Sequence, residues 1–198
     1  MEKTSKHSLL ILVGPKHSGK TSTGKALAKL ISGTFFDLDD ELARLSGKSP
    51  RELFLQGEQA FREAELGAAK HLLQLINMEQ HTALHEPYII ATGGGIVDNP
   101  PAMDLLKHSG TIIYLELSPE TAWKRIQITA ERSGSLPPFL RTGDPEKTHR
   151  QLHERRANLY RELADLIIDA EQEPPELRAN IIFQHLKQSN FRCFYLIA

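Results

Sequence analysis

Gly14-Pro15-Lys16-His17-Ser18-Gly19-Lys20-Thr21 is a complete Gly-x4-Gly-Lys-[Ser/Thr] pattern, and its flanks decide what it means. Leu9-Leu10-Ile11-Leu12-Val13 before it reads as a short buried strand, and Ser22 opens a helical stretch with Ala26, Leu27, Leu30 and Ile31 on one side. Strand, glycine-containing loop and helix in that order predict a phosphate cradle. Gly14 and Gly19 keep Cβ atoms out of the way, so that successive N–H groups and the helix N-terminus point at an anion. Pro15, Lys16, His17, Ser18 and Ser22 fall within the same wrap. Lys20 reaches the β and γ phosphates, and the Thr21 hydroxyl is left as a Mg2+ ligand.

Working outward, Gly33 reads as a helix C-terminal glycine and Thr34-Phe35-Phe36 as a second strand. It runs into Asp37-Leu38-Asp39-Asp40-Glu41, the opening of a helix carrying Leu42 and Leu45. Residues two apart in extended chain face the same way, so Asp37 and Asp39 are expected to aim their carboxylates into one site. One of the four acids serves as a helix cap. Ser49-Pro50 starts a helical stretch with a break at Gly57, continuing to about residue 79 with Phe61, Ala64, Ala68, Leu72 and Leu75 as its apolar stripe. Glu65 lies inside that stripe and needs a partner, for which Arg62, three residues earlier, is the nearest candidate.

After Glu86-Pro87, Tyr88-Ile89-Ile90-Ala91-Thr92 predicts a buried strand delivering Gly93-Gly94-Gly95 to its carboxyl end, the edge where ligands sit in open parallel sheets. Asp98 or Asn99 caps a helix at Pro100-Pro101. Thr111-Ile112-Ile113-Tyr114-Leu115 is the next strand, and Ser118-Pro119-Glu120 starts the next helix, in which Trp123 and Ile126 pack. Arg125 faces either nucleotide or solvent. Residues 131–145 hold Gly134, Pro137, Pro138, Gly143 and Pro145 with Arg132 and Arg141, and read as an irregular lid. A helix over 146–164 puts Arg156 on the apolar stripe of Leu152, Leu159 and Leu163, where a guanidinium needs a buried anion or a pocket opening. Leu166-Ile167-Ile168 is a fifth strand, Pro174-Pro175 starts a last helix, and residues 191–197 form an apolar tail.

The chain of 198 residues suits one domain over 1–198, large enough to bury about 70% of its unfolded surface. Its 24 basic and 25 acidic residues leave no field to gather nucleic acid or an anionic membrane. Cys193 is the single cysteine, which excludes an intrachain disulfide and fits a reducing, cytoplasmic setting. No apolar run is long enough to span a membrane. Residues 1–8 are polar and expected to fray.

The order of these motifs resembles shikimate kinase, a small family in the nucleoside-monophosphate-kinase-like branch of P-loop proteins. The resemblance rests on 14–22, Phe36-Asp37-Leu38-Asp39, Gly57-Glu58 with Phe61-Arg62 and Glu65, Gly93-Gly94-Gly95, and Arg156-Ala157-Asn158-Leu159-Tyr160. It implies a P-loop NTPase fold of three layers, α/β/α, with a five-stranded parallel sheet and a mobile lid. It implies transfer of the ATP γ-phosphoryl group to the 3-hydroxyl of shikimate by a monomer. By the same resemblance Asp37 holds magnesium through water, Asp39 binds substrate hydroxyls and is the candidate base, Arg62 and Arg156 grip the shikimate carboxylate, the Gly93–Gly95 backbone closes on the ring, and Arg125 lies near adenine. The chain departs from the family's lid pattern Arg-Pro-x-Leu, reading Pro137-Pro138-Phe139-Leu140, so Arg132 and Arg141 become the lid candidates for phosphate. Two other readings remain: a kinase of another small hydroxy acid such as gluconate, and a kinase-like ligand sensor.

Overall fold

A computed structural model describes residues 9–80, 87–141, 143–171 and 173–188. Strand β1 (Leu9–Val13) lies at the centre of a five-stranded, all-parallel sheet of order β2-β3-β1-β4-β5, with β2 spanning Thr34–Asp37, β3 Tyr88–Ala91, β4 Thr111–Glu116 and β5 Leu166–Asp169. All five residues of β1 are buried, Leu9, Ile11 and Val13 in one core and Leu10 and Leu12 in the other. An unbroken apolar strand is what a sheet covered on both faces requires.

Helices α1 (Lys20–Leu30) and α8 (Pro175–Gln188) cover the Leu10 face through Leu27, Ile182 and Leu186. The other face carries α2 (Leu38–Ser46), α3 (Pro50–Gln56), α4 (Glu58–Gln80), α5 (Pro100–Ser109) and α7 (Pro145–Leu163), with Leu42, Leu72, Leu106 and Tyr160 in the core. Full burial of one such leucine contributes about 1.5–3 kcal/mol, so the layering is mostly a hydrophobic result. Because β1 neighbours both β3 and β4 while β2 lies beyond β3, the strand order reverses at β1. The loop after β1 therefore opens at the switch point, where a crevice forms.

Several expectations shift. Gly33 does not take the left-handed position after α1; Ser32 does, at φ 52°, while the Gly33 N–H donates to the Ala28 carbonyl. Leu45 is exposed, because Glu41 and Leu42 take the buried side of α2. The stripe of α4 runs through Ala68, Ala69, Leu72, Leu73 and Ile76 rather than Leu75. The irregular stretch is shorter than 131–145: α6 (Pro119–Ser133) carries Arg132, a 3-10 turn spans Pro138–Leu140, and α7 begins at Pro145. Residues 1–8, the tail at 191–197, Cys193 and Glu86 lie outside the described residues. No helix among those described is long and apolar enough to cross a membrane.

Candidate functional site

The loop between β1 and α1 wraps as its glycines allow. Gly14 sits at φ 141°, and a Cβ there would come 2.5 Å from the Leu115 carbonyl oxygen. The Lys20 ammonium donates to the carbonyls of Gly14 (3.0 Å) and Pro15 (2.8 Å). Burial brings its pKa down to about 8, against the pull of Asp39 and Asp37. Lys16 is lowered too, by burial first. Ser18 is fully buried within the loop, and Ser22 Oγ donates back to the Gly19 carbonyl.

Asp37 and Asp39 do converge on the loop, but not by strand alternation. Asp37 ends β2 and caps α2, accepting from the Asp39 N–H at 3.0 Å, while Asp39 already belongs to the helix. The second Asp37 oxygen accepts from Thr21 Oγ1 at 2.7 Å. Asp39 is pushed up to about 6 by burial and then by the Asp37 charge. Such a carboxyl is poised to take a proton near neutral pH.

Glu65 is 1% exposed, and its Oε2 accepts from Arg62 Nη1 (3.1 Å) and Asn99 Nδ2 (2.9 Å). Its Oε1 has no partner among the described residues. Burial raises its pKa. Arg62 Nη1 also donates to the Gly95 carbonyl at 2.9 Å. Arg156 is oriented by Asp98, whose Oδ2 accepts from Nε (2.9 Å) and Nη2 (2.6 Å). Arg155 takes the other Asp98 oxygen at 2.7 Å. Burial works against ionisation of Asp98, yet these bonds and charges hold its carboxyl below the usual range. Asn99, not Asp98, caps α5. Gly94 lets the backbone after β3 meet the loop: a Cβ there would stand 2.7 Å from the Lys16 nitrogen.

One cleft of about 640 Å³ joins these groups. Lys16, His17, Gly19, Lys20, Thr21, Ser22, Asp37, Asp39, Arg62, Gly93, Gly94, Gly95 and Arg156 line it. Six expected residues are not among its lining: Gly14, Pro15 and Ser18 of the loop, and Arg125, Arg132 and Arg141. Arg125 points behind the loop, donating to the His17 (2.8 Å) and Glu171 (3.0 Å) carbonyls. Arg132 is exposed, and Arg141 is exposed with its Nε turned back to the Leu136 carbonyl.

Sequence reasoning passed over three groups. Arg178 of α8, 4% exposed, reaches under the loop to the Ser18 carbonyl at 3.0 Å. Asp98 had only its candidacy as a cap to mark it. Arg51, on α3, lines the cleft beside Ser135, Pro137, Pro138 and Phe139. A cation on the polar side of an amphipathic helix carries no signal of its own.

Comparison with known proteins agrees with the geometry. The family model described as shikimate kinase matches residues 16–187. The chain is 32% identical over 188 residues to a shikimate kinase of Burkholderia lata, covering 94% of each chain. It is 35% identical over 180 residues to one of Pseudomonas entomophila, covering 90% of this chain and 96% of that one. Among solved structures, shikimate kinase from Acinetobacter baumannii in complex with shikimate superposes with a TM-score of 0.78 at 30% identity, covering 92% of this chain and 94% of that one. Thymidylate kinase from Candida albicans, at 14% identity and TM-score 0.59, shares the fold.

Proposed function

The chain belongs to the shikimate kinase family, and on that premise we propose that it transfers the γ-phosphoryl group of ATP to the 3-hydroxyl of shikimate. The observation that carries the proposal is one cleft holding Lys20, the raised carboxyl of Asp39 and two anchored guanidiniums, Arg62 and Arg156. Residues 14–22 wrap the phosphates, and Lys20 exchanges its two carbonyl acceptors for phosphate oxygens. Arg62 and Arg156 take the acceptor carboxylate, and the Gly93–Gly95 backbone lies against the ring. Asp39 then receives the 3-hydroxyl proton as that oxygen bonds to phosphorus. Arg125 and Arg178 act from behind, bracing the carbonyls of His17 and Ser18.

The Thr21 hydroxyl and the Asp37 carboxylate, adjacent hard oxygen donors on the cleft wall, fit a magnesium ion that takes its other ligands from phosphate and water. When bound, that ion supplies positive charge to the transferred group. A monomer working in the cytoplasm without nucleic acid or membrane is part of the same reading, supported by the near-neutral net charge of −1.

Relatives named shikimate kinase and a neighbour solved with shikimate weigh against the gluconate and sensor readings. Coupled measurement of ADP release with shikimate, quinate and gluconate tests the proposal. Turnover is expected with shikimate alone; gluconate turning over as fast would overturn it.

A further inference from the structure

Arg51 is the second residue of α3, a helix fixed at its start by a complete Ser49–Glu52 capping box and held down by buried Leu53. Its exposed side chain extends into the cleft, where Nη2 donates to Ser135 Oγ at 2.7 Å, an interaction between residues 84 positions apart. The same segment is pinned beside it, since Phe139 meets Phe54 of α3 at 6.3 Å between ring centroids and lies 5.8 Å from the Arg156 guanidinium. Leu140 anchors the segment with no exposure at all. The surface this segment gives the cleft is Ser135, Pro137, Pro138 and Phe139, without a charge.

Cations lining the cleft outnumber carboxylates six to three: Lys16, Lys20, Lys25, Arg51, Arg62 and Arg156 against Asp37, Asp39 and Glu65. Arg62 is paired with Glu65, and Arg156 with Asp98. Arg51 has no ion pair among the described residues, and the group it touches is a neutral hydroxyl. Its charge is felt on Lys16 of the phosphate loop, whose pKa it helps lower after burial. A guanidinium held at the mouth of a phosphate site without a counter-anion is set up to receive one.

We propose that Arg51 is the residue that brings positive charge onto the γ-phosphoryl group from the side of residues 135–139, with Ser135 holding its guanidinium in place. The inference rests on the kinase reading above. In the transfer, the acceptor oxygen bonds to the γ-phosphorus, the bond from that phosphorus to the β,γ-bridging oxygen breaks, ADP leaves with the electron pair, and the hydroxyl proton passes to Asp39. Arg51 changes no bond; it neutralises charge on the equatorial oxygens, while Lys20 does so from the loop.

Calorimetric titration with the β,γ-imido analogue of ATP and with ADP, both with magnesium, tests this without requiring turnover. Arg51→Ala is expected to weaken the analogue about tenfold and ADP less than about twofold, the loss of one charge-assisted bond to the γ-phosphate. Arg51→Lys, which keeps charge but not the planar fork, falls between. Ser135→Ala is expected to lose less than Arg51→Ala, because the charge remains and only its tether is removed. In turnover, Arg51→Ala lowers kcat at least tenfold with the shikimate KM little changed, and free guanidinium restores part of it. Equal weakening of analogue and ADP, or a loss confined to shikimate binding, overturns the proposal. A wild type that ignores shikimate while Arg51→Ala still weakens the analogue far more than ADP would sink the acceptor reading and leave this one standing. Because Arg51 is exposed, unchanged melting by circular dichroism is expected and separates these effects from misfolding.

Discussion

Asp98 accepts from both Nε and Nη2 of Arg156, so one edge of the guanidinium is spent on an internal carboxylate before any ligand arrives. The two bonds converge on one oxygen, Oδ2, and fix the plane of the fork, and Arg156 still lines the cleft. On the proposed reading, Asp98 is a positioning residue for the acceptor site. Asp98→Ala should raise the shikimate KM about tenfold and leave kcat within about threefold, since a bond to a charged group contributes roughly 1.5–3 kcal/mol. Asp98→Asn, keeping one acceptor oxygen, should fall between. Steady-state kinetics would refute the assignment if kcat fell and KM held.

Arg62→Ala and Arg156→Ala should each weaken shikimate binding about tenfold or more, with the Kd for ATP nearly unchanged. Calorimetry decides it: both variants binding shikimate like wild type would displace the acceptor site. Arg62→Ala carries a second expected cost, because it removes a donor from Glu65 at 1% exposure and leaves that carboxylate short of partners. Its melting temperature should drop more than that of Arg156→Ala.

Lys20→Ala should abolish measurable phosphoryl transfer. Electrostatic stabilisation dominates this chemistry, and Lys20 is the buried cation of the loop. Near-normal turnover in that variant would remove the phosphate-site assignment.

The pH dependence follows from two perturbed groups. Measured with both substrates well below KM, the rate reports the free enzyme. It should rise as Asp39 loses its proton near pH 6 and fall as Lys20 loses its proton near pH 8. With nucleotide bound, phosphate charge should carry the alkaline limb upward. The sign for stability is opposite to that for activity at Asp39. Its pKa is raised in the fold from 3.8 to about 6, so its contribution is fully present below about pH 4 and is lost as pH rises through 6. Asp39→Asn should therefore be more stable than wild type at pH 7.5, by on the order of 2–3 kcal/mol, with little difference at pH 4. Denaturant unfolding at the two pH values checks this.

Gly94→Ala should weaken ATP binding strongly while leaving the sheet intact. The added Cβ would meet the Lys16 backbone nitrogen at 2.7 Å, and backbone cannot swing aside as a flexible side chain can. A variant with wild-type ATP affinity would show that the loop tolerates the displacement.

What the sequence determined by itself is local. The five strands, the phosphate loop, the proline-led caps at Ser49 and Ser118 and the break at Gly57 each follow from residues within one or two turns of chain, and all were legible. Arg62 with Glu65 was legible too, because three positions on a helix is a contact distance. Asp37 and Asp39 are legible as a pair but their geometry is not, since alternation holds only while the strand lasts and β2 ends at Asp37. Tertiary structure alone decided the rest. Asp98 meets Arg156 across 58 residues, Arg51 meets Ser135 across 84, and Arg178 reaches Ser18 across 160. Arg125 donates to the His17 carbonyl across 108 residues and to the Glu171 carbonyl across 46. A long charged side chain has no periodicity to announce its partner. Where its head group settles depends on which carboxylates and carbonyls the packed layers bring within about 3 Å, and the chain holds that information only once it is folded.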